Sequence, residues 1–398
     1  MQDQTPEESE EESARNQPTP KASTPSTRIP ATSSVAPRSN APPRLGPHPE
    51  ADAFDSHEEI QAVCDAKTGL NAIIAVHSTV RGPAIGGCRM KAYPSWGAAL
   101  ADVLRLSRGM SFKNAMIDLQ MGGAKAVIIA DPNAPNKPAL LEAFAKRVEA
   151  MAGRYWTAED ANISPDDIAI MARSTQYVVG GDMGDHASGN PAPVTARGVV
   201  DGMRVCAAEK GLDPDLKGVR VAILGVGGVG ALVARMVADA GALVTVADLK
   251  EARAQEVAVA VNGRAVDVET LWGEPTDIFS PNTLGAVIGE SEARALDAKI
   301  VAGAENNPLR TDADGDILHE RGILYAPDYV INAGGLVSCY AEVVARRNLE
   351  SLDRAWMDAQ VARIGPNLRA VIENAKADGT ATHRVADAEA KHRIGRSA

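Results

Sequence analysis

The chain has 398 residues, 45% of them apolar, and a formal charge of -11. That is enough for two domains with cores of their own, and the negative charge argues against nucleic acid or an anionic membrane as a partner. Cys64, Cys88, Cys206 and Cys339 stand far apart without a C-x-x-C pair, the seven histidines form no H-E-x-x-H, and no apolar run nears the roughly 18 residues of a membrane span. No metal, disulfide framework or membrane anchor is expected, and reduced thiols fit the cytoplasm.

Residues 1 to 47 differ in kind. An acidic cluster (Glu7, Glu8, Glu10, Glu11, Glu12) precedes Pro, Ser and Thr among scattered bases, a composition that cannot build a core, so a disordered tail without a catalytic part is expected. The stretch lacks the basic start and apolar segment of a secretory signal, and its early acids argue against a mitochondrial presequence. An alternative is a start codon assigned upstream of the true one.

Folded sequence begins near His48. Leu70 to Val76 reads as a buried strand, and a helix follows in which Ser95 is the cap, Leu100, Val103, Leu104 and Leu106 recur near helical spacing, and Gly109 ends the run after Arg108. Ala126 to Ala130 is a second strand, closed by Asp131-Pro132. Asn136 then caps a helix whose core stripe is Leu140, Leu141, Phe144, Val148 and Met151. Alternating strands and helices predict an α/β domain. Gly180 to Pro193, rich in glycine and proline, reads as a hinge before a helix that starts near Thr195.

From Val219 the pattern sharpens. Val219 to Leu224 is an apolar strand, Gly225, Gly227 and Gly230 form G-x-G-x-x-G, and a helix runs from Ala231 to Ala240. In such a unit the first glycine permits the turn, the second lets backbone approach a pyrophosphate, and the third lets helix pack on strand. A further strand, Leu243 to Ala247, ends at Asp248. An acid there accepts from the ribose hydroxyls and repels a 2′-phosphate, which points to NAD rather than NADP, although Lys250 and Arg253 weaken that preference. Pro327 to Gly335 is turn-rich and Leu336 to Arg346 reads as a helix. If that helix packs back on the first domain, the chain divides into a substrate domain (48-185 plus 336-398) and a Rossmann-like cofactor domain (186-335), with the substrate in the cleft between them.

Two lysines stand in apolar, small-residue surroundings: Lys113 in Met110-Ser111-Phe112-Lys113-Asn114-Ala115 and Lys125 in Met121-Gly122-Gly123-Ala124-Lys125-Ala126. Most lysines are solvated, but Lys125 immediately precedes a buried strand. Gly-Gly-Ala-Lys lacks the spacing of a P-loop. A buried lysine beside another cation loses affinity for its proton and can act as a base near neutrality, while a lysine that stays charged can hold a carboxylate. Asp160 could accept from such an ammonium and pass protons on, or cap a helix over Ile163 to Met171.

With these features in place the chain resembles the amino acid dehydrogenase family that includes the leucine, valine, phenylalanine and glutamate dehydrogenases, nearest the leucine branch. The resemblance runs from about His48 to beyond Val344. It is carried by Gly82-Pro83-Ala84-Ile85-Gly86-Gly87-Cys88-Arg89-Met90, Lys113-Asn114-Ala115, Gly122-Gly123-Ala124-Lys125, Thr157-Ala158-Glu159-Asp160, Gly189-Asn190-Pro191-Ala192-Pro193-Val194-Thr195 and Asn332-Ala333-Gly334-Gly335. It implies NAD-dependent, reversible oxidative deamination of an L-amino acid to its 2-oxo acid with release of ammonium, by a homo-oligomer. By this similarity Lys125 is the catalytic lysine, Asp160 handles protons at the amino group, Lys113 binds the α-carboxylate, and Asn306 lies near both amine and nicotinamide. Glu305 departs from the small residue expected at its position. Gly86 is assigned to the substrate; Thr195, Gly225, Gly227, Gly228, Val229, Gly230 and Asp248 are assigned to the cofactor.

The same resemblance places Ile85, Ala158, Leu336 and Cys339 at the far end of the substrate pocket. Glutamate-using relatives carry a lysine where Ile85 stands, and phenylalanine-using relatives a small residue where Leu336 stands, so leucine, valine or isoleucine is the expected substrate. A phenylalanine or broad-specificity enzyme is the alternative. A catalytically silent NAD-binding regulator is the remote one.

Overall fold

The computed structural model describes residues 51, 53–181 and 187–396. The expected tail over residues 1 to 47, and the middle of the expected hinge between Gly180 and Pro193, lie outside the described residues. Two six-stranded sheets organise the rest.

The first contains β1 (Glu59–Asp65), β2 (Leu70–Ser78), β3 (Ala84–Ile85), β4 (Cys88–Lys91), β5 (Gly122–Ile129) and β6 (Tyr155–Trp156), in the order β1-β2-β5-β3-β6 with β4 also paired to β5. β2 runs antiparallel to β1 and β5, whereas β3 and β4 lie parallel to β5. Both faces of β2 and β5 are covered, which explains sequences apolar at nearly every position. Ile73, Ala75 and Val127 pack under the helix Trp96–Met116, on Ala99, Val103 and Leu104. The alternate residues Ala72, Ile74, Ala126 and Ile128 pack on Leu140, Leu141, Phe144 and Val148 of the helix Lys137–Ala150.

Two expectations need correction, and both affect the lysines. The first helix does not stop at Gly109 but continues to Met116, so Lys113 lies in its last turn. Glycine inside a helix costs about 0.5–1 kcal/mol. Burying Phe112 completely, with Ala115 and Met116 behind it, outweighs that cost, since one such aromatic side chain contributes roughly 1.5–3 kcal/mol. Likewise β5 begins at Gly122 rather than Ala126, which puts Lys125 inside the strand, opposite Ala75. Strand alternation then aims Gly123, Lys125 and Val127 toward the Trp96–Met116 helix. Gly123 lets that helix approach, because a Cβ there would overlap the Ser111 backbone nitrogen.

The second sheet contains β7 (Arg220–Leu224), β8 (Leu243–Ala247), β9 (Arg264–Ala265), β10 (Ile278–Pro281), β11 (Ile300–Val301) and β12 (Leu324–Tyr325), in the order β12-β11-β10-β7-β8-β9. All neighbours are parallel. Chain order reverses between β7 and β10, and in open parallel sheets ligands bind beyond the strand ends at such a switch point.

The helix expected near Thr195 spans Ala192–Glu209, and the one expected from Leu336 spans Gly334–Asn348. The latter packs on the former: the backbone at Gly334 lies so close to Val194 that a side chain would not fit. The last helix, Thr382–Arg393, touches both halves. Thr382 Oγ1 donates to the Tyr325 carbonyl beside the second sheet, and Arg393 Nη1 donates to Ala115 and Met116 at the end of the first helix.

The Gly123 packing yields a direct test by thermal and denaturant unfolding. Gly123→Ala forces two backbones apart and is expected to lose about 2–3 kcal/mol. Gly273→Ala, where a Cβ meets open space and φ is not positive, should be neutral or slightly stabilising.

Candidate active site

Helix end and strand start bring the two lysines to one side of the first sheet. Lys125 is 4% exposed and its ammonium lies 3.1 Å from Asp160 Oδ1. The other Asp160 oxygen accepts from Arg89 Nε at 2.7 Å. Arg89, from β4, also pairs with Asp102 at 3.1 Å, and the Tyr93 hydroxyl donates to that carboxylate at 2.6 Å. Burial alone would raise the Asp160 carboxyl, but Lys125 and Arg89 outweigh it and hold the group well below the usual carboxylate range. Asp160 is not a helix cap: the next helix, Pro165–Ala172, is capped by Ser164 with Asp167 returning the bond.

Lys113 is buried without an acid at hand. Its ammonium donates to Asn306 Oδ1 at 3.1 Å, a neutral partner, and desolvation lowers it to about 8. Asp328 opposes that fall and Lys125 adds to it. Asn306 Oδ1 also accepts from Asn332 Nδ2 at 3.3 Å, and Asn332 donates to the Ala304 carbonyl. Asp328 accepts from the Asn307 backbone and the Tyr325 hydroxyl, and burial raises its carboxyl.

Ile85, Ala158, Leu336 and Cys339 fall in one buried apolar cluster with Trp156 and Val179. None carries a charge. Burial pushes the Cys339 thiol up to about 12, with Glu342 and Glu159 adding their negative field while Lys113 and Lys125 act the other way. Gly86 sits at the neighbouring turn, where its carbonyl accepts from the Tyr155 hydroxyl at 2.8 Å.

The glycine turn has two tight and two open positions. Gly225 has φ +87 and lies against Asn282 and Thr283 of the segment after β10, and a Cβ on Gly230 would overlap the Gly225 carbonyl oxygen. At Gly227 and Gly228 an added Cβ would meet nothing within 4 Å. The helix Gly228–Asp239 starts without a side-chain cap, and its first-turn N–H groups are those a phosphate would accept from. Val229 lies half-buried in its first turn. Asp248 accepts from the Val226 backbone at 3.0 Å and from that of Lys250 at 2.8 Å, with Arg253 3.8 Å away. Its carboxylate thus steadies the turn and retains lone pairs for another donor. Thr195 donates to the Pro191 carbonyl and lies beneath Gly335.

The two groups of residues meet through one short segment. Asn282 and Thr283 abut Gly225, and two residues later the Leu284 carbonyl lies 3.5 Å from Arg89 Nη1. A cavity of about 280 Å³ opens there, lined by Arg89, Tyr93, Asp102, Arg105, Leu284 and Asn306 among others. Sequence reasoning gave no site role to Arg89 and Asn332, although both stand in the motifs that carry the resemblance, and did not single out Asp328. Arg89 between Cys88 and Met90 carried the same signal as the lysines, a cation in an apolar stretch. Among the described residues no group of three or more His, Cys, Asp or Glu could hold a metal ion, and no helix is long and apolar enough to cross a membrane.

The chain is similar to known proteins over most of its length. Residues 56–177 match the family profile described as Glu/Leu/Phe/Val dehydrogenase, dimerisation domain, and residues 243–396 match Glutamate/Leucine/Phenylalanine/Valine dehydrogenase. The chain is 40% identical to a leucine dehydrogenase of Bacillus cereus over 85% of its own length and 91% of that protein. It is 37% identical to a phenylalanine dehydrogenase of Bacillus thermotolerans, covering 86% and 90%. The crystal structure of L-tryptophan dehydrogenase from Nostoc punctiforme superimposes with a TM-score of 0.69 at 36% identity, covering 85% of this chain and 96% of that one.

The unusual proton affinity of Lys113 has a measurable sign. The unfolded lysine titrates near 10.4, so between about pH 8 and 10 the unfolded chain binds the extra proton, and stability from this group rises with pH. Lys113→Met is expected to lose that rise, which amounts to about 1–3 kcal/mol in the wild type, when melting is followed from pH 7 to 10.

Proposed function

The chain belongs to the Glu/Leu/Phe/Val dehydrogenase family and is an amino acid dehydrogenase acting on the CH–NH2 group of its donor, and we propose that it carries out NAD-dependent, reversible oxidative deamination of leucine, valine or isoleucine. The products are the 2-oxo acid and ammonium. The observation that carries this reading is the pair of buried lysines, one on Asp160 and one on Asn306, and the uncharged Ile85, Ala158, Leu336 and Cys339, buried in one apolar cluster, support the choice of substrate.

Lys113 is the carboxylate binder. Its ammonium has a neutral partner and a weakened hold on its proton, and an arriving α-carboxylate supplies the missing opposite charge. Asp160, kept ionised by Lys125 and Arg89, accepts N–H bonds from the substrate amine and so orients it. As its free amine, Lys125 would take the proton of the water that attacks the imine carbon, and the ammonium that results is the form Asp160 pairs with here. A bound nicotinamide dinucleotide supplies the hydride acceptor. Gly225, Gly227, Gly228, Val229 and Gly230 would hold its pyrophosphate, Asp248 its ribose, and Thr195 and Asn306 its nicotinamide end. We assign residues 186-335 to the cofactor lobe and 48-185 plus 336-398 to the substrate lobe.

The pocket wall supports an aliphatic substrate. A glutamate side chain would bury a carboxylate with no cation supplied by Ile85, near Glu159 and Glu342, and an unpaired buried carboxylate costs several kcal/mol. NAD is favoured over NADP because Asp248 occupies the end of β8, against a weaker pull from Arg253. The negative charge and free cysteines fit a cytoplasmic enzyme, and the dimerisation domain matched by residues 56–177 fits a homo-oligomer. The second reading, a phenylalanine or broad-specificity enzyme, draws on the phenylalanine dehydrogenase at 37% identity.

Initial rates across leucine, valine, isoleucine, phenylalanine and glutamate, with NAD and NADP, test the reading. The three aliphatic substrates should lead with NAD, within about 10–200-fold of one another; faster turnover of phenylalanine or glutamate would refute the pocket argument. In Lys125→Ala, NADH formation from leucine should fall by about three orders of magnitude while NADH binding persists. Unchanged turnover there removes the proposed base.

A further inference from the structure

Glu305 is a buried acid with no part in the mechanism above. It is 1% exposed and follows the end of β11. One carboxylate oxygen accepts from the Thr283 backbone N–H at 2.9 Å and from the Thr283 hydroxyl, and the other from the Val287 N–H at 3.4 Å. Burial raises its carboxyl, and the Thr283 and Val287 bonds work against that rise. A side chain placed at such a loss of solvation needs a reason.

The reason lies in what it brackets. Between Thr283 and Val287 the backbone turns through Gly285 at φ +118 and Ala286 at φ +60, the left-handed region that alanine avoids. Such a conformation persists only where its surroundings over-determine it. Glu305 ties down both ends, and the Ala286 N–H donates to the Asn307 carbonyl at 2.8 Å. The turn so fixed stands at the switch point of the sheet. Its first residues press on Gly225, Asn282 accepts from the Ala304 N–H, Leu284 reaches Arg89, and Gly285 lies against the Asn306 carbonyl.

We propose that Glu305 is a positioning residue for dinucleotide binding: it holds the Thr283–Val287 turn as the wall against which the glycine turn is set. This rests on the dinucleotide site of the proposed function, not on the choice of amino acid.

The test is equilibrium binding of NADH and NADPH to the full chain, followed by fluorescence, in the wild type and in Glu305→Ala, Glu305→Gln and Thr283→Val. Glu305→Ala should weaken the preferred dinucleotide about tenfold, while glutamine, which keeps one acceptor for Thr283, should recover most of the loss. Thr283→Val, lacking only the hydroxyl, should fall between. Where leucine is turned over, the KM for dinucleotide should rise in step and the KM for leucine should not. Wild-type affinity in folded Glu305→Ala overturns the proposal. If that variant does not fold, wild-type affinity in both Glu305→Gln and Thr283→Val overturns it instead. A wild type that binds dinucleotide but oxidises no amino acid sinks the proposed reaction and leaves this binding test standing. A wild type that binds neither dinucleotide sinks both.

Discussion

The arrangement depends on one electrostatic constraint: three cations, Lys113, Lys125 and Arg89, are buried around Asp160 and Asn306. An uncompensated buried charge costs several kcal/mol, and like charges a few ångströms apart add to it. The protein resolves the problem unevenly. Asp160 divides its two oxygens between Lys125 and Arg89, and Asp102 takes the rest of the Arg89 charge with help from Tyr93. Lys113 is left with an amide oxygen, and the price is a proton affinity lowered by desolvation. That asymmetry is useful. A saturated Lys113 would have nothing to offer an incoming anion, whereas one short of a counter-charge gains by binding it.

Delivering both lysines to one face is a backbone problem, and small residues solve it. Lys125 can point toward the Trp96–Met116 helix only if its strand starts early enough to be in register with Ala75. Lys113 can meet it only if the helix runs at least about one turn beyond Gly109. Gly123 lets those two elements pass at backbone contact. Fold and chemistry are therefore linked at a single crossing. Whatever widens it moves the ammonium groups relative to each other and to Asp160.

Much of this was legible in the sequence because periodicity and turn chemistry report local structure faithfully. Strand β8 coincides with the expected Leu243 to Ala247, while the helix expected from Ala231 to Ala240 begins earlier, at Gly228 inside the glycine motif, and ends at Asp239. Of the expected stripe, Leu140, Leu141, Phe144 and Val148 are buried, while Met151 is the half-buried C-cap. Gly109 misled because a local preference was outweighed by burial that only the tertiary fold supplies. Arg89, Asp102 and Asp328 were harder to see because each matters through a partner distant in sequence. Asp160 reaches Arg89 across 71 residues, and Asp328 meets Asn307 across 21. Glu305 stood out as a departure from expectation, yet its contacts to Thr283 and Val287 belong to a turn whose backbone strain no residue count reveals.

The seam between the two sheets shows how such a site could open. Lys113 donates to Asn306, Arg105 to the Leu309 carbonyl at 2.8 Å, and Arg89 approaches the Leu284 carbonyl: in each case a cation from the first half meets a neutral oxygen of the second. Each such bond contributes about 1.5–3 kcal/mol at most, and water replaces it readily once the cleft parts. Cavities of about 280 and 550 Å³ lie on this seam, with Arg105 lining both. The helices Gly334–Asn348 and Thr382–Arg393, by contrast, join the halves through buried apolar side chains such as Val337, Val343, Ala386 and Ala390. The molecule is thus joined through buried apolar side chains along its C-terminal helices, and along its charged seam through single bonds from cations to neutral oxygens.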